Sequence, residues 1–396
     1  GSEGDDFIQL GDGNNTVDSG AGNNTLELGD GNNKVLLTGG LNVMRAGNGA
    51  NSVTAVDGTN VITVGGGNNV IELMSGASTV TSGDNDNTVN IVDGTNALHM
   101  GAGADTLTVV SGNNTIDAGE GENLLTLKGG TNTLTAGDDV NTLEVTGGTN
   151  SATLGAGADV IRVRGGVNRI DVGDGENDIA LSAGNSAISA GDGDNTIVLT
   201  GGVNTVTAGD GVNTIDLVDG VNFGVFGSGA DTVTATGGTN VMDVGGGDNL
   251  VSLVAGASSV TAGDGINRID IQAGTNRVVL GDGGNTIDVT AGTNDLTAGA
   301  GADHVTVASG NNTLRSGSGA DVITLNDGIN SVNAQAGADS IIAVSGANAI
   351  DAGDDEDTVT LTDGSNTVWG GSGADSITAS AGDNLIDAGA DDDTIT

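Results

Sequence analysis

Proline, cysteine and tyrosine are absent from this 396-residue sequence, tryptophan occurs once and phenylalanine three times. Without cysteine there is no disulfide framework and no thiolate metal site. A single core does not grow to this length, so a compact globule would need two or three domains. Such domains draw on large aromatic side chains, and here they are missing. Bases are also scarce: nine Lys and Arg stand against 53 Asp and Glu, a net charge of −44. Phosphates are neutralised by Lys and Arg, so nucleic acid and anionic membrane surfaces are excluded as partners. No apolar run approaches the roughly 20 residues of a membrane span, so no membrane insertion is expected. No signal peptide is visible, and Gly1-Ser2 reads as a cloning remnant.

Hydrophobic residues nevertheless make up 36% of the chain, largely Val, Ile and Leu. That argues against charge-driven disorder. The composition describes an elongated protein with a thin aliphatic core, whose acids serve bound cations or solubility.

From Ser2 onward the chain reads in nine-residue units without insertion or deletion. Examples are Gly101-Ala-Gly-Ala-Asp-Thr-Leu-Thr-Val109 and Gly191-Asp-Gly-Asp-Asn-Thr-Ile-Val-Leu199. The pattern is x-x-Gly-x-[Asn/Asp]-x-U-x-U, with U aliphatic. Positions 6 to 9 alternate outward and inward, which is strand periodicity. Ala152 and Gly224 are the exceptions at inward position 7. Positions 1 to 5 carry turn residues, and nothing supports a helix. From Gly47 every second unit begins, as a rule, Gly-x-Gly, so the full repeat is 18 residues: turn A, strand, turn B, strand. Strands entering turn A end in small residues such as Ala118, Ala190 and Ala208; those entering turn B mostly end in large ones such as Leu127 and Val145. One coil cannot bury these faces, whereas stacked coils can. The expected fold is all-β, a right-handed parallel β-roll or β-solenoid with two short strands per coil. About 22 coils at roughly 4.8 Å each predict a rod near 100 Å long, one continuous domain over residues 1–396.

These units resemble the hemolysin-type calcium-binding (RTX) nonapeptide, Gly-Gly-x-Gly-x-Asp-x-U-x. Gly370-Gly-Ser-Gly-Ala-Asp-Ser-Ile-Thr378 fits at every position, and the likeness covers the whole chain. The resemblance implies a parallel β-roll, Ca2+ held between successive turns, extracellular residence and type I export. The main departure is Asn where the family carries Asp.

The charge is not spread evenly over the coil. Turn A holds about 30 of the 53 acids and turn B about nine. Like charges stacked some 5 Å apart repel by about 1 kcal/mol per pair even at the dielectric of water, so the ladder calls for a counter-ion. Calcium takes six to eight oxygens, and Gly-rich turns expose carbonyls. Asp303, Asp321, Asp339, Asp357, Asp375 and Asp393 occupy the RTX ligand position at constant 18-residue spacing, which makes 303–396 the most RTX-like stretch. Gln335 interrupts its turn where Gly is expected. Upstream, Asp105, Asp159 and Asp231 hold the same position. Where position 5 is Asn, position 2 is often acidic instead, which adds Asp192, Asp210, Asp264 and Asp282 as further cation candidates. Turn B carries Asn at position 5 from Asn96 to Asn384, broken by Ser186 and Ser258, with Ser78 a further break upstream. Those amides can form a ladder along the column or cap their own turns.

No enzyme is expected. His99 and His304 are far apart in sequence and outward-facing, and a uniform repeat offers no convergent pocket. Phe223 and Trp369 read as exposed aromatics, and Phe226 as filler over Gly224. Three roles are compatible with the repeat. The first is a non-catalytic extracellular spacer of an adhesin, surface-layer or matrix protein, stiffened by calcium and touching cell-surface or matrix components. The second is a filament subunit stacking end to end, since the sequence stops within a repeat at Thr396 and shows no cap. The third is an ice-binding adhesin segment, from outward pairs such as Thr133/Thr135 and Thr205/Thr207.

Overall fold

The computed structural model describes residues 1–396. It contains no helix; 44 short strands divide equally between two parallel sheets, two strands to each 18-residue turn of a β-solenoid. The coils fall into two compact units, Gly1–Thr196 and Ile197–Thr396.

In the first unit each strand pairs in parallel with the strand 18 residues away, so Leu107 lies beside Leu125 and Leu125 beside Leu143. In the second unit Ile287 lies beside Val305, and Val305 beside Ile323. Every residue thus has its own position one coil away as its neighbour, which is why the sequence repeats position by position. Inward positions 7 and 9 make the core. Leu107, Val109, Leu125 and Leu127 are fully buried in the first unit, as are Val305, Val307, Ile323 and Leu325 in the second. Each such aliphatic contributes about 1.5–3 kcal/mol. The span between the two sheets is filled by branched aliphatics, and rings are not needed.

The exception is instructive. Phe226 is buried, and its ring ends where a side chain on inward-facing Gly224 would begin: a Cβ there would lie 2.6 Å from the ring Cζ. Replacing Phe226→Ala should cost about 3–5 kcal/mol. Adding Gly224→Leu to that variant should recover part of the loss, whereas Gly224→Leu alone should destabilise. Thermal melts of the three variants check this; additive losses would show that the two positions do not share one space.

Turns are set by left-handed backbone at fixed positions. Gly319 has φ +134°, and a Cβ on it would approach the carbonyl oxygen of Gly301, one coil below, to 2.2 Å. Asn85, Asp355 and Asp391 take the same position with φ between +83° and +96°; Asn and Asp tolerate this region best among non-glycines. Gln335 also has positive φ, and nothing in its surroundings explains the choice.

Outward faces carry ion pairs and a His–carboxylate hydrogen bond between coils. Arg315 reaches Asp295 at 2.9 Å, Arg268 reaches Asp288 at 2.7 Å, and His99 Nδ1 lies 2.7 Å from Asp117. All are substantially exposed, and such pairs are worth about 0–1 kcal/mol. With Arg277 they interrupt the threonine columns of the outer faces.

Candidate calcium-binding edge

Turn A places position 5 on the inward side, in line with positions 7 and 9, so its side chain is buried although it is polar. The residue there is Asn in most coils and Asp in some. Asp105, Asp159, Asp231, Asp303, Asp321, Asp339, Asp357 and Asp375 are all 2% exposed or less. Asp393, in the last coil, is half-buried.

Asn and Asp use one oxygen identically. Oδ1 accepts the backbone N–H of position 5 in the preceding coil: Asn33 N–H donates to Asn51 at 3.2 Å, Asn141 N–H to Asp159 at 2.7 Å, and Asp321 N–H to Asp339 at 2.8 Å. The other atom differs. In Asn coils Nδ2 donates to carbonyls of its own turn. Asn69 reaches Gly65 at 3.0 Å and Gly67 at 2.7 Å, and it also donates to Asn87 Oδ1 at 2.9 Å. Asn267 makes the same three bonds to Gly263, Gly265 and Asn285. In Asp coils the second oxygen, Oδ2, is buried and has no hydrogen-bond partner at any of the eight buried positions. A carboxylate oxygen cannot serve the carbonyls that Nδ2 serves, because all are acceptors.

Burial is the dominant cause of the altered acidity here. It pushes Asp105, Asp159, Asp303 and Asp357 up to about 6 and Asp339 to about 7, against the hydrogen bonds to Oδ1. It raises Asp231, Asp321 and Asp375 as well. In the run the neighbouring carboxylates add to the shift: Asp321 acts on Asp303, and Asp321, Asp357 and Asp355 act on Asp339.

This donor set fits calcium. Each orphaned Oδ2 is a buried anionic oxygen beside Gly-rich backbone, and a buried carboxylate without a partner is costly. No three Asp, Glu or His side chains form a cluster, so a cation at this edge draws most of its oxygens from backbone carbonyls, a set that suits calcium. Asp303 to Asp375 would hold the ions, with Asp105, Asp159 and Asp231 as single positions. The ion would supply positive charge between oxygens that otherwise repel.

The position-2 acids lie elsewhere. Asp192, Asp210, Asp264 and Asp282 are exposed at the rim of the turn. They cap the backbone of the following coil where their bonds are defined: Asp210 Oδ1 accepts from Ser228 N–H at 2.8 Å, Asp264 from Asp282 at 2.9 Å, and Asp282 from Ala300 at 3.1 Å. They are not part of the buried column.

The buried column of turn B is uncharged, and most of its amides satisfy one another; the exceptions are Ser258 Oγ and the Oδ1 atoms of Asn96, Asn204 and Asn276, each at or just after a serine break. Its asparagines do both jobs open to them: Asn132 Nδ2 donates to Asn150 Oδ1 at 2.7 Å and to its own turn at Gly129 O, 3.0 Å. The same holds at Asn294, with Asn312 at 2.8 Å and Ala291 O at 3.3 Å.

Sequence reasoning missed the role of the turn A asparagines. The parity of position 5 with buried positions 7 and 9 was the available signal.

Comparison with curated proteins finds no match. A family model for the RTX calcium-binding nonapeptide repeat (4 copies) matches in twelve segments, including 1–35, 37–71, 99–134, 171–206, 288–323, 324–359 and 360–395. The longest stretches it leaves out, 72–98 and 252–287, contain only Asn at position 5 of turn A. With an 18-residue coil, Gly-rich turns and a buried aspartate column in place, the chain belongs to the RTX calcium-binding nonapeptide repeat family.

Proposed function

We propose that the chain is a non-catalytic, extracellular structural repeat region, the stalk of an adhesin, surface-layer or matrix protein, exported by a type I system and stiffened by calcium along turn A. The observation that carries this reading is the column of buried, unpartnered carboxylate oxygens from Asp303 to Asp375. It is supported by the use of nearly every residue in one repeat, which leaves no side chains grouped for catalysis. His99 sits in an exposed pair with Asp117, and His304 is exposed on another strand. No helix is long and apolar enough to cross a membrane.

Hydrogen exchange on the full chain tests the calcium requirement. Chelation should raise exchange first in the strands next to Asp303–Asp393, while the turn B asparagine column should change least. Equal protection with and without calcium would remove calcium from the function. Electron microscopy at rising protein concentration separates a stalk, whose particles keep one length, from an end-to-end filament, whose particles lengthen.

A further inference from the structure

The asparagines of turn A are more than lost ligands. At Asn33 the amide nitrogen lies 3.2 Å from Gly29 O, 3.0 Å from Gly31 O and 2.9 Å from Asn51 Oδ1 of the next coil. At Asn285 it lies 3.3 Å from Gly281 O, 3.0 Å from Gly283 O and 2.8 Å from Ala298 O. The nitrogen therefore sits among three oxygens and offers them positive hydrogens. In an Asp coil the turn keeps the same path and Oδ1 the same partner, but the central atom is an anionic oxygen with nothing to meet it.

We propose that the asparagine amide occupies the place of the cation, so that Asn coils bind no calcium and stack without it, and only Asp coils take up the ion. This rests on the reading that turn A binds calcium. The chain then carries its own map of calcium dependence. Coils from Asn15 to Asn87 are closed by amides alone. Asp105, Asp159 and Asp231 are single sites between Asn coils, whereas Asp303 to Asp375 form one uninterrupted array.

The two classes differ in how well the carboxylate is already served. At two of the single sites, Asp105 and Asp231, the preceding asparagine gives Oδ1 two donors. Asn87 provides its backbone N–H at 2.6 Å and Nδ2 at 3.1 Å to Asp105, and Asn213 provides 2.8 Å and 3.0 Å to Asp231. Within the array, from Asp321 onward, the preceding residue is itself Asp and gives only its backbone N–H, as Asp339 does to Asp357 at 2.8 Å and Asp357 to Asp375 at 2.9 Å. Carboxylates also flank each other there, so the array has the greater need for an ion, and filling one site eases the next.

The test exchanges the two side chains in the full-length protein, with calcium as the probe. Calcium stoichiometry is measured by titration calorimetry, and melting temperature is measured in calcium-free buffer. Asp321→Asn should remove about one equivalent of calcium and raise the calcium-free melting temperature; Asn285→Asp should add about one equivalent and lower it. If the wild-type protein binds calcium and Asp321→Asn binds just as much, the amide does not displace the ion and the proposal falls while the calcium reading survives. A wild-type protein that takes up no calcium at neutral pH would overturn both. Should Asn285→Asp fail to fold even with calcium, the proposal is likewise wrong, because the ion should restore what the amide supplied.

Discussion

In calcium-free buffer the protein should become more stable as the pH falls from 7.5 to 5. The unfolded aspartates titrate near 3.8, whereas Asp105, Asp159, Asp303 and Asp357 titrate near 6 and Asp339 near 7 in the fold, because burial penalises their charged form. A raised carboxyl pKa means that the folded state binds protons the unfolded chain does not. Stability therefore rises as the pH drops through 7 to 5 and is lost again as the pH climbs back. Between pH 7.5 and 5 a group raised to about 6 contributes about 1.4 kcal/mol, and its full two-unit shift, about 3 kcal/mol, is reached only below pH 4. At roughly 2–4 °C per kcal/mol, one such group moves the melting temperature by about 3–6 °C over this window. Saturating calcium should abolish or reverse the trend, because protons then compete with the ion for the same oxygens. Thermal melts at pH 7.5, 6 and 5, with calcium and with chelator, provide the measurement. A flat or falling melting temperature on acidification without calcium would show that the buried oxygens already have partners.

Coil and strand were readable because stacking imposes them. Leu107, Leu125 and Leu143 are mutual neighbours in one sheet, so each faces the same requirement and the requirement appears in the sequence every 18 residues. The aspartate column was readable for the same reason, as Asp303 to Asp375 recur in register. What an acid does within the turn was harder to read. Asp264 and Asp303 are both turn A aspartates, yet one is exposed and accepts the Asp282 N–H while the other is buried with an empty oxygen. The difference is the side of the backbone from which each residue projects, and only parity with the strand reveals it. The orientation of an amide was not written in the sequence at all. Asn267 looks like a conservative loss of charge until its nitrogen is seen between Gly263 O and Gly265 O. Surface pairs such as His99 and Asp117 follow from the 18-residue offset, but nothing in the local sequence marks them as partners.

Breaking the turn B ladder should be as costly as stripping calcium, and no ion should repair it. Asn150 is buried. It accepts from Asn132 Nδ2 at 2.7 Å, donates to Asn168 Oδ1 at 2.8 Å and donates to Gly147 O at 3.0 Å. Asn150→Leu keeps the branched heavy-atom outline of the side chain but removes all three bonds and leaves a buried donor and two buried acceptors unserved. At about 1–3 kcal/mol for each such group, the loss should be about 3–6 kcal/mol, with partial relief where a partner turns toward water. The chain itself indicates a milder replacement. Serine stands in this column at position 186, where Asn168 Nδ2 donates to Ser186 Oγ at 3.4 Å, and at position 78, where Asn60 donates at 3.5 Å. These longer bonds keep a partner for the incoming amide, so Asn150→Ser should cost about half as much as the leucine variant. Melting curves with and without calcium distinguish the two edges: the deficit of both Asn150 variants should be the same in either condition, because the ladder is closed by amides and carries no charge. A deficit that calcium erases would place an ion at turn B and make the two edges chemically alike.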